Sequence, residues 1–144
     1  MGACDYCPDP RAVPGHRNGV YVTTSDEHSE QGYAVEDPEL RNKMMEKRMR
    51  KYDAILTEMR APELYGDQNA EITLICWGST YGAVREAVDI LRKKGTKANL
   101  LVFKDIWPFP EEKVKALLEK AKHLIAIENN FTGQLTNIIR RCTG

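Results

Sequence analysis

Residues Glu71 to Phe103, EITLICWGSTYGAVREAVDILRKKGTKANLLVF, carry the pattern that decides the fold. Ile72 to Trp77 is an apolar run of strand length, bounded by Gly78. Thr80 to Lys94 then places Val84, Ala87, Val88 and Leu91 at helical steps on one side, until Gly95 stops the pattern. Ala98 to Phe103 is a second apolar run. Strands apolar on both faces, alternating with helices apolar on one, describe a parallel sheet covered on each side.

Downstream the unit repeats. Glu111 to Lys122 carries Val114, Leu117, Leu118 and Ala121 as a helix, Leu124 to Ile127 is a third strand, and Thr132 to Cys142 carries Leu135, Ile138, Ile139 and Cys142 as a last helix. Right-handed crossovers then give an α/β fold of three α/β/α layers around a mostly parallel sheet. Upstream, Asp37-Pro38-Glu39 combines an N-cap, a proline at the first helical position and an acidic first turn. Leu40, Met44, Met45, Met49, Tyr52, Ile55, Leu56 and Met59 follow on one face as packing residues, with Arg41, Lys43, Lys47, Arg48, Arg50 and Lys51 on the wet face. Pro62, Gly66 and Asp67 end this element and open a loop, and before Asp37 proline and glycine leave only Val20 to Thr23 as an extended piece. The expected organisation is one domain: residues 1–36 an irregular segment with an interface loop, and 37–144 an α/β domain with its leading helix.

Composition limits function. Twenty-one basic and twenty-one acidic residues cancel among 144, which leaves no electrostatic footprint for nucleic acid or an anionic membrane. The longest apolar run falls far short of the ~20 residues that span a bilayer, and no basic-then-apolar leader opens the chain, so a cytoplasmic location is expected. Cys76 and Cys142 read as small buried hydrophobes. Cys4-Asp5-Tyr6-Cys7 has the spacing of half a metal or redox site, with no second CxxC to complete it.

Three loops lie where functional groups gather in such sheets, outside the carboxyl ends of the strands: Gly78 to Gly82, Lys104 to Pro110, and Asn129 to Gly133. In the first, Gly78, Ser79 and Thr80 could offer backbone N–H groups to an anion, or Ser79 or Thr80 could cap the next helix. It matches neither a P-loop nor a GxSxG elbow. In the last, Glu128-Asn129-Asn130 and Gln134 suit either a neighbouring chain or local capping. Trp107-Pro108-Phe109-Pro110 fixes an extended turn with apolar bulk. Glu27, His28 and Glu30 could share a metal or proton, and read better as a polar contact surface.

Four ordered motifs resemble the second domain of the alpha subunit of 2-oxoacid:ferredoxin oxidoreductases. They are Ser25 to Lys51, SDEHSEQGYAVEDPELRNKMMEKRMRK; WGSTYG from Trp77; WPFP from Trp107; and ENNFTGQL from Glu128. In that family the segment matched by Ser25, Glu27, His28, Glu30, Gly32, Glu36 and Asp37 precedes a helix with the pair Lys47-Arg48. Pro10 to Gly15 resembles the segment that precedes the domain, with Asp9 in place of a serine. The resemblance implies a transketolase C-terminal-like fold whose five-stranded mixed sheet has an antiparallel edge strand, for which Val20 to Thr23 is the candidate.

It further implies an assembly domain of an enzyme complex that oxidatively decarboxylates a 2-oxoacid to an acyl-CoA and passes electrons to ferredoxin. Among substrates 2-oxoglutarate is favoured over pyruvate and branched-chain 2-oxoacids. Thiamine diphosphate, magnesium and iron–sulfur clusters would sit in other domains and subunits, with none bound by this chain. The expected partners are the catalytic pyrimidine-binding domain and the beta and gamma subunits. No catalytic, cofactor or metal residue is carried over; the candidate interface is Glu27, His28, Glu30, Glu36, Gly78, Ser79, Thr80, Asn129, Asn130 and Gln134. Relatives continue upstream and for a few dozen residues downstream, so a fragment or truncated reading frame, inactive alone, is expected. Two other classes compete: a stand-alone module binding a phosphorylated ligand at Gly78 to Gly82, and a structural dimerisation domain using the methionine-rich helix.

Overall fold

The computed structural model describes residues 15 to 144, apart from Tyr21 and Thr23. Cys4, Cys7 and the segment from Pro10 to Pro14 therefore lie outside the described residues. The chain divides into two compact units, Met1–Thr57 and Glu58–Gly144.

Helix α1 (Pro38–Glu58), all but its last residue in the first unit, begins as its sequence dictates. The Asp37 carboxylate accepts the backbone N–H groups of Glu39 and Leu40 at 2.7 and 3.2 Å, satisfying two of the donors every helix start leaves over. None of its 21 residues is buried, and Met45, Met49 and Ile55 are exposed. The preceding loop folds back on itself: Ser29 N–H donates to the Tyr33 carbonyl and Val35 N–H to that of Glu27, around an antiparallel bridge between His28 and Ala34.

The second unit is a four-stranded sheet in the order β1-β3-β2-β4. Strands β2 (Ile72–Trp77), β3 (Ala98–Phe103) and β4 (His123–Ala126) are parallel, and β1 (Glu63–Gly66) runs antiparallel to β3 with Glu63 opposite Val102. Helix α2 (Tyr81–Lys93) covers one face and helices α3 (Glu111–Leu118) and α4 (Gln134–Thr143) the other, making three layers. Side-chain alternation explains the continuous apolar runs. Leu74, Cys76, Ala98, Leu100 and Val102 meet Val84 and Val88 of α2, while Ile75, Leu101 and Phe103 meet Val114, Leu135 and Ile139. Each fully buried aliphatic side chain contributes about 1.5–3 kcal/mol. Helix α2 ends in a Schellman turn: Gly95, at φ +87°, donates to Arg92 and Thr96 donates to Leu91.

Two expectations are corrected. The antiparallel edge strand is Glu63–Gly66, in the segment after Pro62 that composition marks as loop; of Val20 to Thr23, Tyr21 and Thr23 lie outside the described residues, and Val20 and Val22 are exposed. The described sheet has four strands and not five. What holds β1 in place is non-local. Arg60, three residues before it, donates its N–H and guanidinium to Asp105 at 2.7–3.0 Å, and this pairing holds the Asp105 carboxyl well below the usual carboxylate range. The Asn99 side chain donates to the Asp67 carbonyl at 2.8 Å just beyond the strand.

Candidate functional site at the carboxyl edge of the sheet

From β2 the chain leaves for one face of the sheet and from the adjacent β4 for the other, so their carboxyl ends flank the crevice where open α/β sheets hold ligands. Here the crevice is bridged from within. Trp77, the last residue of β2, donates its indole N–H to Glu128 Oε2 at 3.3 Å. The same oxygen accepts from Asn130 Nδ2 at 2.7 Å and from Leu135 N at 2.9 Å. Oε1 accepts the N–H and the hydroxyl of Thr136 at 3.0 and 2.8 Å. Asn130 Oδ1 in turn accepts the N–H of Gln134 at 3.0 Å.

The N-terminal amides of α4, the natural seat for an anion, are thus taken by the chain's own carboxylate and amide. Burial is the largest influence on Glu128 and pushes its carboxyl up. The hydrogen bonds from Asn130, Thr136 and Leu135 together outweigh it and lower the pKa to about 2. A carboxylate so held is a poor proton acceptor at neutral pH, because protonation would break bonds it already accepts. Its chemistry is to lock the Asn129 to Gly133 loop onto α4 and onto Trp77.

The Gly78 to Gly82 loop begins as a single 3-10 turn, Gly78–Thr80, running directly into α2. Thr80 holds the N-cap position of α2 but makes no side-chain cap bond: it sits at φ −73° and ψ −15°, and its hydroxyl donates backwards to the Trp77 carbonyl at 2.8 Å. Thr80 also touches the Cys76 thiol, which burial pushes up against the smaller opposing effect of this hydroxyl. Ser79 and Gly78 are exposed.

Among the predicted interface residues, then, the fold brings Gly78, Ser79, Thr80, Asn129, Asn130 and Gln134 to one edge, where Asn129 and Gln134 are exposed and Asn130 serves as a cap. Around them the edge presents aromatic surface: Phe131 is fully exposed, Trp107 is 55% exposed and Tyr81 is exposed. The Arg141 guanidinium lies 5.8 Å from the Trp107 ring centroid.

Glu27, His28, Glu30 and Glu36 belong to the other unit. Glu27 turns inward, its side chain 8% exposed, and takes a bidentate pair of bonds from Arg48 at 2.8 and 3.0 Å, with Arg41 at 3.6 Å. His28 Nδ1 lies 3.4 Å from the Asp26 carbonyl, and Glu30 and Glu36 are exposed. Sequence reasoning missed two groups, the Arg60–Asp105 clamp and the Thr136 half of the Glu128 lock. Glu128 itself was visible as an acid ending a strand; its use as a cap from six residues upstream of α4 carries no local signal.

The donor set at the carboxyl edge does not fit a magnesium-bound diphosphate. Its carboxylate and the first amides of α4 are already engaged, and among the described residues no three His, Cys, Asp or Glu gather as a metal site. A separate groove of about 470 Å³ follows the outer edge of β4 between α3 and α4, lined by Ile75, Leu118, Leu124 and Ile139 together with the charged Lys115, Glu119 and Arg140. Leu124 and Ile125 of that strand are exposed. No helix among the described residues is long and apolar enough to cross a membrane.

Residues 70–144 match the family described as pyruvate:ferredoxin oxidoreductase core domain II. The chain is 39% identical over 139 residues to the alpha subunit of 2-oxoacid:ferredoxin oxidoreductase 2 from Aeropyrum pernix, covering 93% of this chain and 21% of that one. It is 32% identical over 112 residues to a pyruvate synthase subunit, PorA, from Methanothermobacter thermautotrophicus, covering 76% and 29%. Among solved structures, 2-oxoglutarate:ferredoxin oxidoreductase from Magnetococcus marinus, with 2-oxoglutarate, coenzyme A and succinyl-CoA bound, superposes with a TM-score of 0.72 at 34% identity, covering 98% of this chain and 25% of that chain. The chain spans about a fifth of the length of the first curated relatives it matches.

Proposed function

Because the chain belongs to the pyruvate:ferredoxin oxidoreductase core domain II family, we propose that it is the assembly domain of a 2-oxoacid:ferredoxin oxidoreductase alpha subunit, inactive alone. The complex would decarboxylate a 2-oxoacid to an acyl-CoA and reduce ferredoxin, with thiamine diphosphate, magnesium and iron–sulfur clusters held by other domains and subunits. One observation carries this reading. At the edge where such sheets place their chemistry, the Glu128 carboxylate and the first amides of α4 are engaged in holding loops, while Phe131, Trp107 and Tyr81 are exposed beside them. Aromatic anchors on a rigid frame are what a docking surface needs; their counterpart would be the catalytic pyrimidine-binding domain and the beta and gamma subunits. The exposed β4 edge, its groove and the unburied α1 supply further apolar surface of the same kind.

For substrate we favour 2-oxoglutarate, supported by the likeness to the Magnetococcus enzyme, with pyruvate as the alternative raised by the pyruvate synthase subunit. A cytoplasmic location accords with this role. The test is affinity capture of the tagged chain from its native source. Co-purifying subunits with thiamine diphosphate and iron–sulfur absorbance support the proposal, and assay of the captured complex with each 2-oxoacid ranks the substrates. Capture of the chain alone, with a saturable small ligand of its own, overturns it.

A further inference from the structure

At the end of the sheet opposite that crevice, β2 and β3 carry two buried polar side chains side by side. Thr73 and Asn99 are register partners, 3% and 5% exposed. Asn99 Nδ2 donates to the Asp67 carbonyl at 2.8 Å. Because that partner can only accept, the bond identifies the other end of the amide as the oxygen. Asn99 Oδ1 is buried, and among the described residues no donor reaches it. Both residues line a small cavity of about 30 Å³, together with Leu64, Gln68, Ala70, Leu101, Leu117, Lys120 and Ala121.

We propose that this cavity is a binding site for one ordered water molecule, which donates a hydrogen bond to Asn99 Oδ1. The occupant must offer a donor, since an acceptor faces it. It must also be small. About 10–15 Å³ of such space holds one water, and buried waters characteristically satisfy polar groups that the chain leaves over. Thr73 lines the cavity as a second polar neighbour. With Asn99 gripping the Asp67 carbonyl through its nitrogen, the water would complete a link from the turn after β1 to the central strands.

The experiment is water-to-protein cross-relaxation NMR on the isotopically labelled full chain. The Asn99 side-chain amide protons should show a cross-peak with the sign of a water that tumbles with the protein. Three cavity-lining side chains carry exchangeable protons that could imitate this, so the peak is measured again in Thr73→Val, Gln68→Ala and Lys120→Met. Persistence in all three is the expected result, and a crystallographic peak about 2.6–3.2 Å from Oδ1 would agree with it. Absence of the cross-peak in the parent chain, or its loss in any one variant, overturns the assignment by giving Oδ1 no water donor or a side-chain one.

Discussion

Glu128 and Thr136 form a two-point lock: one carboxylate oxygen takes both the N–H and the hydroxyl of the threonine, at 3.0 and 2.8 Å, from eight residues upstream. Replacing Glu128 by glutamine removes the charge and turns one accepting oxygen into an NH2 group that faces donors of the chain. A loss of about 1–3 kcal/mol is expected, read as a lowered denaturant midpoint with an unchanged slope.

The same lock sets a pH dependence. The folded pKa of Glu128, about 2, lies below its ordinary value of 4.5, so the folded state favours the ionised form. Its contribution is fully present above pH 4.5 and disappears as pH falls through about 2. Stability profiles of the parent chain and Glu128→Gln should therefore converge across this acid window and run parallel at neutral pH; parallel curves throughout would show that Glu128 is not the titrating group.

Glu27 and Arg48 predict a local effect. The loop from Ser25 to Glu36 looks, by composition, like a segment that nothing holds. Yet the carboxylate of Glu27 is buried against the guanidinium, and Ser29 and Val35 donate backbone hydrogen bonds within the loop. Hydrogen exchange at those two amides should be slow in the parent chain and faster in Glu27→Ala, with a change in global stability of about 0.2–1 kcal/mol. Equal exchange in both would mean that the ion pair does not order the loop.

The two glycines of WGSTYG should respond with opposite signs. Gly78 has a φ of +57°, which an L side chain enters at a cost of roughly 1–2 kcal/mol, so Gly78→Ala is destabilising and Gly78→Asn less so. Gly82 lies in the first turn of α2, with no heavy atom within 4 Å of an added Cβ. Gly82→Ala should raise stability by about 0.5–1 kcal/mol. Thermal melts of the three variants decide it.

Phe131→Ser and Trp107→Ala alter exposed rings, and the stability change should stay within about ±0.5 kcal/mol. Binding of the chain to its co-purifying subunits should weaken about tenfold or more if these are docking anchors. Unchanged binding in both variants would remove the carboxyl edge from the proposed interface.

The central layers were legible because burial on both faces leaves a mark in one dimension. Ile72–Trp77 and Ala98–Phe103 match their apolar runs to the residue, and Gly95 stops α2 as its sequence says. Strand β1 was not legible: Glu63-Leu64-Tyr65-Gly66 is short and mostly exposed, and its pairing with β3 and the Arg60–Asp105 clamp span some 40 residues. Helix α3 ends at Leu118 and not Lys122, since no glycine or proline marks its stop. At the site, the loops were found from strand ends alone. What could not be read was whether Asn130 faces outward or caps α4, a choice made by the position of Glu128 and Trp77 in space.

The chain's two tryptophans sit at the same edge in unlike surroundings: Trp77 half-buried with its indole bonded to a carboxylate, Trp107 mostly exposed beside a guanidinium. That difference makes the molecule its own optical gauge. A collisional quencher should extinguish the redder emission of Trp107 first, leaving a bluer component from Trp77. Any partner that settles on this edge would shield the red component selectively, while acid that dissolves the Glu128 lock would shift the blue one, so occupancy and integrity can be followed separately without a label.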